Sequence, residues 1–267
     1  MQAYSRKSTV RWQKFLHCEG VYTMRIHDHL YLIGSGHFGL SQDFDSSVYA
    51  VDCGGEIALI DAGAGVDVDV IFSNIKREGL DASKISTLLL THSHSDHAGG
   101  SRVFRERCGC KVYIAAQEAD YVEKGTETDL ALDVAKRSGL YSPDYQFPNC
   151  VVDARLEDGD VITCGRFDFS ALLVPGHSEG STCFQVDLPE GRTLFSGDVV
   201  FANGVILLLN CRGSSLAEYR AHIGRLADRN VDILLPGHKM FILSDGQKHI
   251  DQAIDHLSKL EPPPNLL

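Results

Sequence analysis

Apolar and polar positions follow two rhythms along this chain, and the rhythms divide it into elements. Alternating or short continuous apolar runs mark strands; apolar residues three and four apart mark helices. Val21–Ile26 and Leu30–Ile33 read as a hairpin around His27-Asp28-His29, whose aspartate suits a turn. Val48–Asp52 and Ile57–Asp61 read as a second pair, closed by the tight turn Gly54-Gly55. Val66–Glu78 carries Val66, Val70, Ile71 and Ile75 at helical spacing, with Gly79 as its stop. The run Ile85–Leu90, with three consecutive leucines, reads as a buried strand that ends at Thr91. A short helix around Val103 and Phe104 and a strand Lys111–Ala115 follow.

The pattern loosens over residues 117–149. Two helical pieces, Glu118–Lys124 and Asp129–Ser138, precede an aromatic, proline-bearing stretch, Tyr141 to Pro148. An insertion here is expected to act as a lid or a substrate wall. Strands return at Val151–Leu156, Val161–Cys164, Phe167–Val174, Thr182–Asp187 and Thr193–Ser196. A helix begins near Ser214, with Ser215 and Glu218 spaced as a capping box. Strand Val231–Leu235 precedes a last helix, expected to start near Ser244 with Gln247 in the box position, and Pro262-Pro263-Pro264 stops it. Both halves share one plan of strand pair, helix and strand. The plan implies two sheets packed face to face with helices outside, an α+β fold of the αββα four-layer type. The expected organisation is a polar lead-in over 1–20, one domain over 21–260 and a tail over 261–267. In the lead-in, Trp12, Phe15 and Leu16 are placed to dock on the body or on a partner subunit, so a homo-oligomer is one expectation.

Composition narrows the function classes. At 267 residues the chain can bury a sizeable core. Its net charge of −11 and lack of a basic run argue against nucleic acid as a partner. The first fifteen residues hold no apolar signal region and no segment reaches membrane-spanning length, so a cytoplasmic protein is expected. The eight cysteines are scattered with no C-x-x-C spacing, which excludes a zinc ribbon and fits reduced thiols; a pair involving Cys108 or Cys110 stays open.

The chemistry concentrates where the leucine strand ends, at Thr91-His92-Ser93-His94-Ser95-Asp96-His97-Ala98-Gly99-Gly100. Three imidazoles and a carboxylate within six residues form a metal-site signal. His92 and His94 are two apart and point the same way on an extended segment. Asp96 and His97 are adjacent and diverge unless the chain turns, which Gly99-Gly100 permits. His177, Asp198 and His238 each follow a strand and sit beside glycine. Together these seven suffice for two metal ions. One site takes His92, His94 and His177; the other takes Asp96, His97 and His238; Asp198 bridges them. Nitrogen-rich, sulfur-free coordination suits two Zn²⁺, with iron or manganese also compatible with these donors. Asp61, at a strand end before glycines, either supports the metal loop by hydrogen bonding or N-caps the next helix.

The string His92-x-His94-x-Asp96-His97, with His177, Asp198 and His238 behind it, resembles the metallo-β-lactamase superfamily from about residue 20 to 245. The resemblance implies the αββα sandwich and makes Asp61 the family's early aspartate. A bridging Asp198 is similar to the glyoxalase II and lactonase-like branch. The implied activity is hydrolysis of a lactone, thioester or carboxylic ester of a small molecule by a hydroxide shared between two zinc ions, since zinc brings bound water to a pKa of ~7. Asp96 is then the catalytic residue that orients the nucleophile and carries a proton. Two departures stand out. Phe201 occupies the approximate place of the lactonases' tyrosine, leaving Tyr141, Tyr145 and Tyr219 as the nearby phenols. In the C-terminal region where glyoxalase II is expected to bind glutathione, this chain has Lys239 and Lys248. The competing readings are an iron-dependent persulfide dioxygenase with one metal and a phosphodiesterase of the same fold. Selectivity is expected to lie in the 34–47 loop, the 117–149 insertion and the 199–213 segment.

Overall fold

The computed structural model describes residues 24–267. The lead-in, with Trp12, Phe15 and Leu16, and the first three residues of the expected opening strand lie outside the described residues.

Among the described residues, twelve strands form two sheets. The first sheet is a meander of β1 (Met24–Arg25), β2 (Leu30–Gly34), β3 (Val48–Asp52), β4 (Ile57–Ile60), β5 (Ile85–Leu89), β6 (Lys111–Ala115) and β7 (Ala154–Leu156). It is antiparallel from β1 to β4 and parallel from β4 to β7. The second sheet has the order β12-β11-β10-β9-β8, from β8 (Val161–Cys164), β9 (Phe167–Leu173), β10 (Thr182–Leu188), β11 (Gly191–Gly197) and β12 (Ile233–Pro236). Its last pair, β11 with β12, is parallel and the rest are antiparallel.

The period of two along each strand builds the layers. Leu30, Leu32, Tyr49, Val51 and Ile60 point from the first sheet into a core shared with Phe169, Phe184, Phe195 and Leu235 of the second. Their neighbours Tyr31, Ile33, Val48, Ala50 and Leu59 point outward, under α1 (Val68–Arg77), α3 (Ser101–Cys108) and α4 (Ala116–Lys124); the short α2 (Ser95–Ala98) and α5 (Leu132–Arg137) complete the helices of this half. On the far side Leu172, Val174, Cys183 and Leu194 pack beneath α6 (Leu216–His222) and α7 (Gly246–Ser258). Each fully buried Leu or Phe stabilises by about 1.5–3 kcal/mol. Three separate apolar layers therefore hold a four-layer αββα sandwich.

Several local expectations shift. α1 starts at Val68 with Asp67 as N-cap, so Asp61 is no cap for it. The last helix is not capped from Ser244: its N-cap is Asp245, in a left-handed conformation with no side-chain cap bond. Gln247 instead donates to Leu226 O and Asp251, tying the helix to the preceding loop. Ser215 does accept from Glu218 N at 3.3 Å, but the Glu218 carboxylate turns to His222 rather than back to the cap. All seven described cysteines, Cys108 and Cys110 among them, are free. Among the described residues no helix is long and apolar enough to cross a membrane.

Candidate metal centre

The loops that carry His92, His94, Asp96, His97, His177, Asp198 and His238 meet at one edge of the sandwich. Beyond β5 the chain stays extended through His92 to His94, then turns at once into the single helical turn α2 (Ser95–Ala98). The turn begins immediately after His94, earlier than Gly99-Gly100, and swings Asp96 and His97 to the opposite side of the site. Thr182 N donates to Thr91 O at 2.8 Å, stitching this loop to the second sheet beside the His177 loop. β11 and β12 run in parallel, with Gly197 paired to Pro236, so Asp198 and His238 emerge side by side.

The donor atoms converge as two triads. His177 Nε2 lies 3.2 Å from His92 Nε2 and 2.9 Å from His94 Nδ1, and the latter two are 3.1 Å apart. His238 Nε2 lies 3.3 Å from His97 Nε2 and 3.1 Å from Asp96 Oδ2. Asp198 stands between them: its Oδ2 is 3.6 Å from His177 Nε2 and 3.4 Å from His238 Nε2, and its Oδ1 is 3.5 Å from His97 Nε2. A tetrahedral ion with ligands at about 2.0–2.1 Å holds its donors roughly 3.3 Å apart, so both triads have the right spacing for zinc. A second observation agrees. Asp198 Oδ1 is buried and has no hydrogen-bond partner, a state that costs about 1–3 kcal/mol or more for a charged group. A cation held by these residues would satisfy it. The centre is also kept clear of bulk, since a Cβ on Gly237 would stand 2.5 Å from both Asp198 Oδ1 and His97 Cε1.

Electrostatics separates the triads. Burial, joined by the neighbouring imidazoles, pushes His92 well below its ordinary pKa. Burial likewise lowers His94, and takes His177 to about 4. These three are therefore neutral donors at neutral pH. Burial also opposes charge on His97 and His238. There Asp198 and Asp96 outweigh it, raising His97 well above its usual value and His238 to about 9. Asp96 shows the reverse: burial favours its neutral acid, but His97 and His238 prevail and hold it at about 2.

Groups outside the triads fix the ligands. Asp61 Oδ2 lies 2.8 Å from His97 Nδ1, and its Oδ1 accepts from Thr91 N at 2.8 Å. His177 Nδ1 lies 2.8 Å from Leu207 O, which sets that ring's tautomer with Nε2 facing the site. Glu118, which no local motif marks as functional, is buried in α4. Its two oxygens accept from Ser93 N at 2.6 Å and Gly180 N at 2.7 Å, tying the His92–His94 loop to the His177 loop. Its only sequence signal is an acid at a helix start. Tyr219 is fully buried and donates to Asp198 O and Leu207 O, so it holds the site from behind. Phe201 is buried too. Tyr145 donates to Ala64 O at 2.8 Å. Tyr141 differs: it lines the cavity, stacks between Phe44 and Tyr145 at 5.5 and 4.7 Å, and its hydroxyl has no partner among the described residues.

A cavity of about 560 Å³ opens onto His94, Asp96, His177, Asp198 and His238. The 34–47 loop contributes His37, Phe44 and Asp45 to its wall, and the 117–149 segment contributes Leu130, Leu132, Leu140 and Tyr141. Leu207 and Leu209 join them, together with Leu266 and Leu267 of the tail.

Comparison with known proteins agrees with this geometry. The family model described as the metallo-beta-lactamase superfamily matches residues 42–238, and the chain belongs to that superfamily. It is 29% identical over 249 residues to an acyl-coenzyme A thioesterase MBLAC2 of Gallus gallus, covering 85% of each chain. It is 30% identical over 167 residues to a hydroxyacylglutathione hydrolase of Bdellovibrio bacteriovorus, covering 62% of this chain and 49% of that one. Among solved structures, BJP-1, a subclass B3 metallo-beta-lactamase of Bradyrhizobium japonicum, superposes with a TM-score of 0.68 at 22% identity over 88% of this chain and 90% of that one. That last likeness concerns the fold alone. With these relatives and this donor cluster, the chain is a metal-dependent hydrolase.

Proposed function

We propose that the chain is a dinuclear zinc hydrolase that cleaves an ester-like bond of a small molecule, with a thioester as the first substrate to test. The observation that carries this reading is the pair of donor triads, His92/His94/His177 and Asp96/His97/His238, facing each other across Asp198. The names of the thioesterase and hydroxyacylglutathione hydrolase relatives favour a thioester over a lactone or a carboxylic ester. Zinc held here lowers the pKa of water to ~7 and polarises a carbonyl oxygen.

The chain's own residues supply the rest. Asp96 is ionised at neutral pH and its side chain is 25% exposed, so it can accept a proton from an attacking water and orient it. Asp198, at 3% exposure, spans the triads and holds them in register. Asp61 positions His97, and Glu118 positions the loops of the other triad. Tyr141 offers an uncommitted hydroxyl on the cavity wall, for a substrate oxygen. Its pKa is raised by burial and by the charge on Asp96, so it stays protonated and can donate. The free thiols support a reducing, cytoplasmic setting.

The test is a panel of a thioester, a lactone, an aryl ester, a β-lactam and a phosphodiester, offered to the zinc-loaded chain before and after chelation. Thioester turnover that chelation removes and zinc restores is the expected result. Turnover of the phosphodiester alone points to the phosphodiesterase reading and contradicts this one.

A further inference from the structure

The cavity has two ends of different character. One end is the donor cluster. Away from it, and apart from the loop residues His37, Asp43, Phe44 and Asp45, the wall is dominated by leucine: Leu130, Leu132, Leu207, Leu209 and Leu266, with Leu140 and Leu267. Leu130, Leu132 and Leu207 are only 3%, 1% and 6% exposed, yet they belong to none of the three packed cores of the sandwich. They line the cavity together with Leu140, Leu209, Leu266 and Leu267, which are more exposed. Apolar side chains withdrawn from the core and gathered beside a polar reaction centre mark a subsite for an apolar group.

The backbone there is held against its own preference. Ala131, between the two buried leucines, has φ 54, a left-handed conformation that costs a non-glycine residue free energy and persists where surrounding structure enforces it.

The segment after α7 completes the wall. It does not leave the body. Ile206 N donates to Pro264 O at 3.0 Å and Leu266 N to Ile206 O at 2.9 Å, a parallel bridge of Ile206 with Asn265. The Asn265 side chain then grips Leu208 twice, accepting from its N–H at 2.8 Å and donating to its carbonyl at 3.1 Å. These four bonds lay residues 264–266 along 206–208, next to the Leu207 carbonyl that orients His177.

We propose that this cavity seats an unbranched apolar acyl chain of medium length, and that Leu266 on the strapped segment is a specificity-determining residue for it. The inference rests on the hydrolase reading for the placement of the acyl carbon at the triads, and goes beyond it in naming the group bound. A cavity of about 560 Å³ is much larger than an acetyl group needs and lies in the range of ligand sites, about 300–1,000 Å³. No cationic side chain interrupts the leucine wall; Lys239, on the cavity's lining, is exposed and belongs to the metal side, next to His238.

The experiment is calorimetric binding of straight-chain carboxylates from acetate to dodecanoate to the zinc-loaded full chain, with Leu266→Asp, Leu266→Trp and Asn265→Ala in parallel. Affinity should rise about three- to fourfold per methylene through the middle of the series and then level off, as expected for burial of successive CH₂ groups. Leu266→Asp should weaken decanoate at least tenfold and leave acetate unchanged. Leu266→Trp, which keeps the wall apolar but fills space, should move the plateau to shorter chains. Asn265→Ala should flatten the series by loosening the strap. Affinity that ignores chain length, or variants whose series matches the unaltered chain, would overturn the proposal. Thioester hydrolysis is measured separately. Chain-length-dependent binding without thioester hydrolysis keeps this inference and sinks the thioester reading. Hydrolysis equally fast for acetyl and decanoyl thioesters does the opposite.

Discussion

Asp61 Oδ2 lies 2.8 Å from His97 Nδ1, and Asp61 makes this contact from a left-handed backbone, φ 61. The same carboxylate takes the N–H and hydroxyl of Thr91. One residue outside the donor set therefore fixes both the strand end that carries the histidines and the ring of His97. Asparagine tolerates a left-handed backbone, so Asp61→Asn removes the charge without adding strain. It should weaken zinc at the Asp96/His97/His238 triad about ten- to a hundredfold and leave the other triad near its original affinity. Competition with a chromophoric chelator measures both steps; equal loss at both triads would contradict the assignment.

Glu118 joins the two loops of the other triad through Ser93 N and Gly180 N. In Glu118→Gln one oxygen becomes an NH₂ group that faces a backbone N–H. The variant should lose about 1–3 kcal/mol of stability, read as a lower denaturation midpoint, and should bind zinc more weakly at His92/His94/His177. A variant that is destabilised yet binds zinc as before would leave Glu118 a purely structural clamp.

The two triads should also respond differently to pH. His177 is depressed to about 4, so protons compete with a metal there only in acid. His238 is raised to about 9 and His97 is raised as well, so at pH 7 a metal must displace protons from that triad. Zinc affinity at the second triad should therefore climb between pH 7 and 9, while the first stays flat. Titration calorimetry in buffers of different ionisation enthalpy should show protons released at pH 7 and fewer above pH 9. Identical pH dependence for both steps would contradict the separation.

Tyr141 lines the cavity with a hydroxyl that has no protein partner among the described residues, unlike Tyr145 and Tyr219. Tyr141→Phe should lower kcat about tenfold with little change in melting temperature, as expected for one lost hydrogen bond to a developing charge. Tyr145→Phe, which breaks the bond to Ala64 O, should affect stability more than kcat. The reverse pattern would remove Tyr141 from the chemistry.

What the sequence made legible follows from distance along the chain. His92, His94, Asp96 and His97 lie within one short loop, and His177, Asp198 and His238 each follow an apolar strand beside glycine, so local patterns mark them. Along β9, Phe167, Phe169 and Ala171 alternate with Asp168 and Ser170, which announces its inward face, whereas β2 and β3 are apolar on both sides and do not say which side faces in. Glu118 was hidden because its partners are 25 and 62 residues away in sequence and its own surroundings look like any helix start. The strapped segment was hidden for the same reason: Pro262-Pro263-Pro264 reads as the end of a helix, and nothing local says that Asn265 grips Leu208. Asp245 was missed as a cap because a left-handed residue held by its neighbours overrides the Ser244 signal.

In the proposed two-zinc hydrolytic centre, His92, His94 and His177 act together with Asp96, His97, His238 and Asp198. Metal content per chain, measured together with thioester hydrolysis for the unaltered protein and His94→Ala, tests it most directly. Expected are two zinc ions per unaltered chain, hydrolysis lost on chelation and regained with zinc, and a His94→Ala chain that folds but loses one zinc and nearly all turnover. One iron per chain with oxygen consumption, or hydrolysis that survives both chelation and His94→Ala, would contradict it.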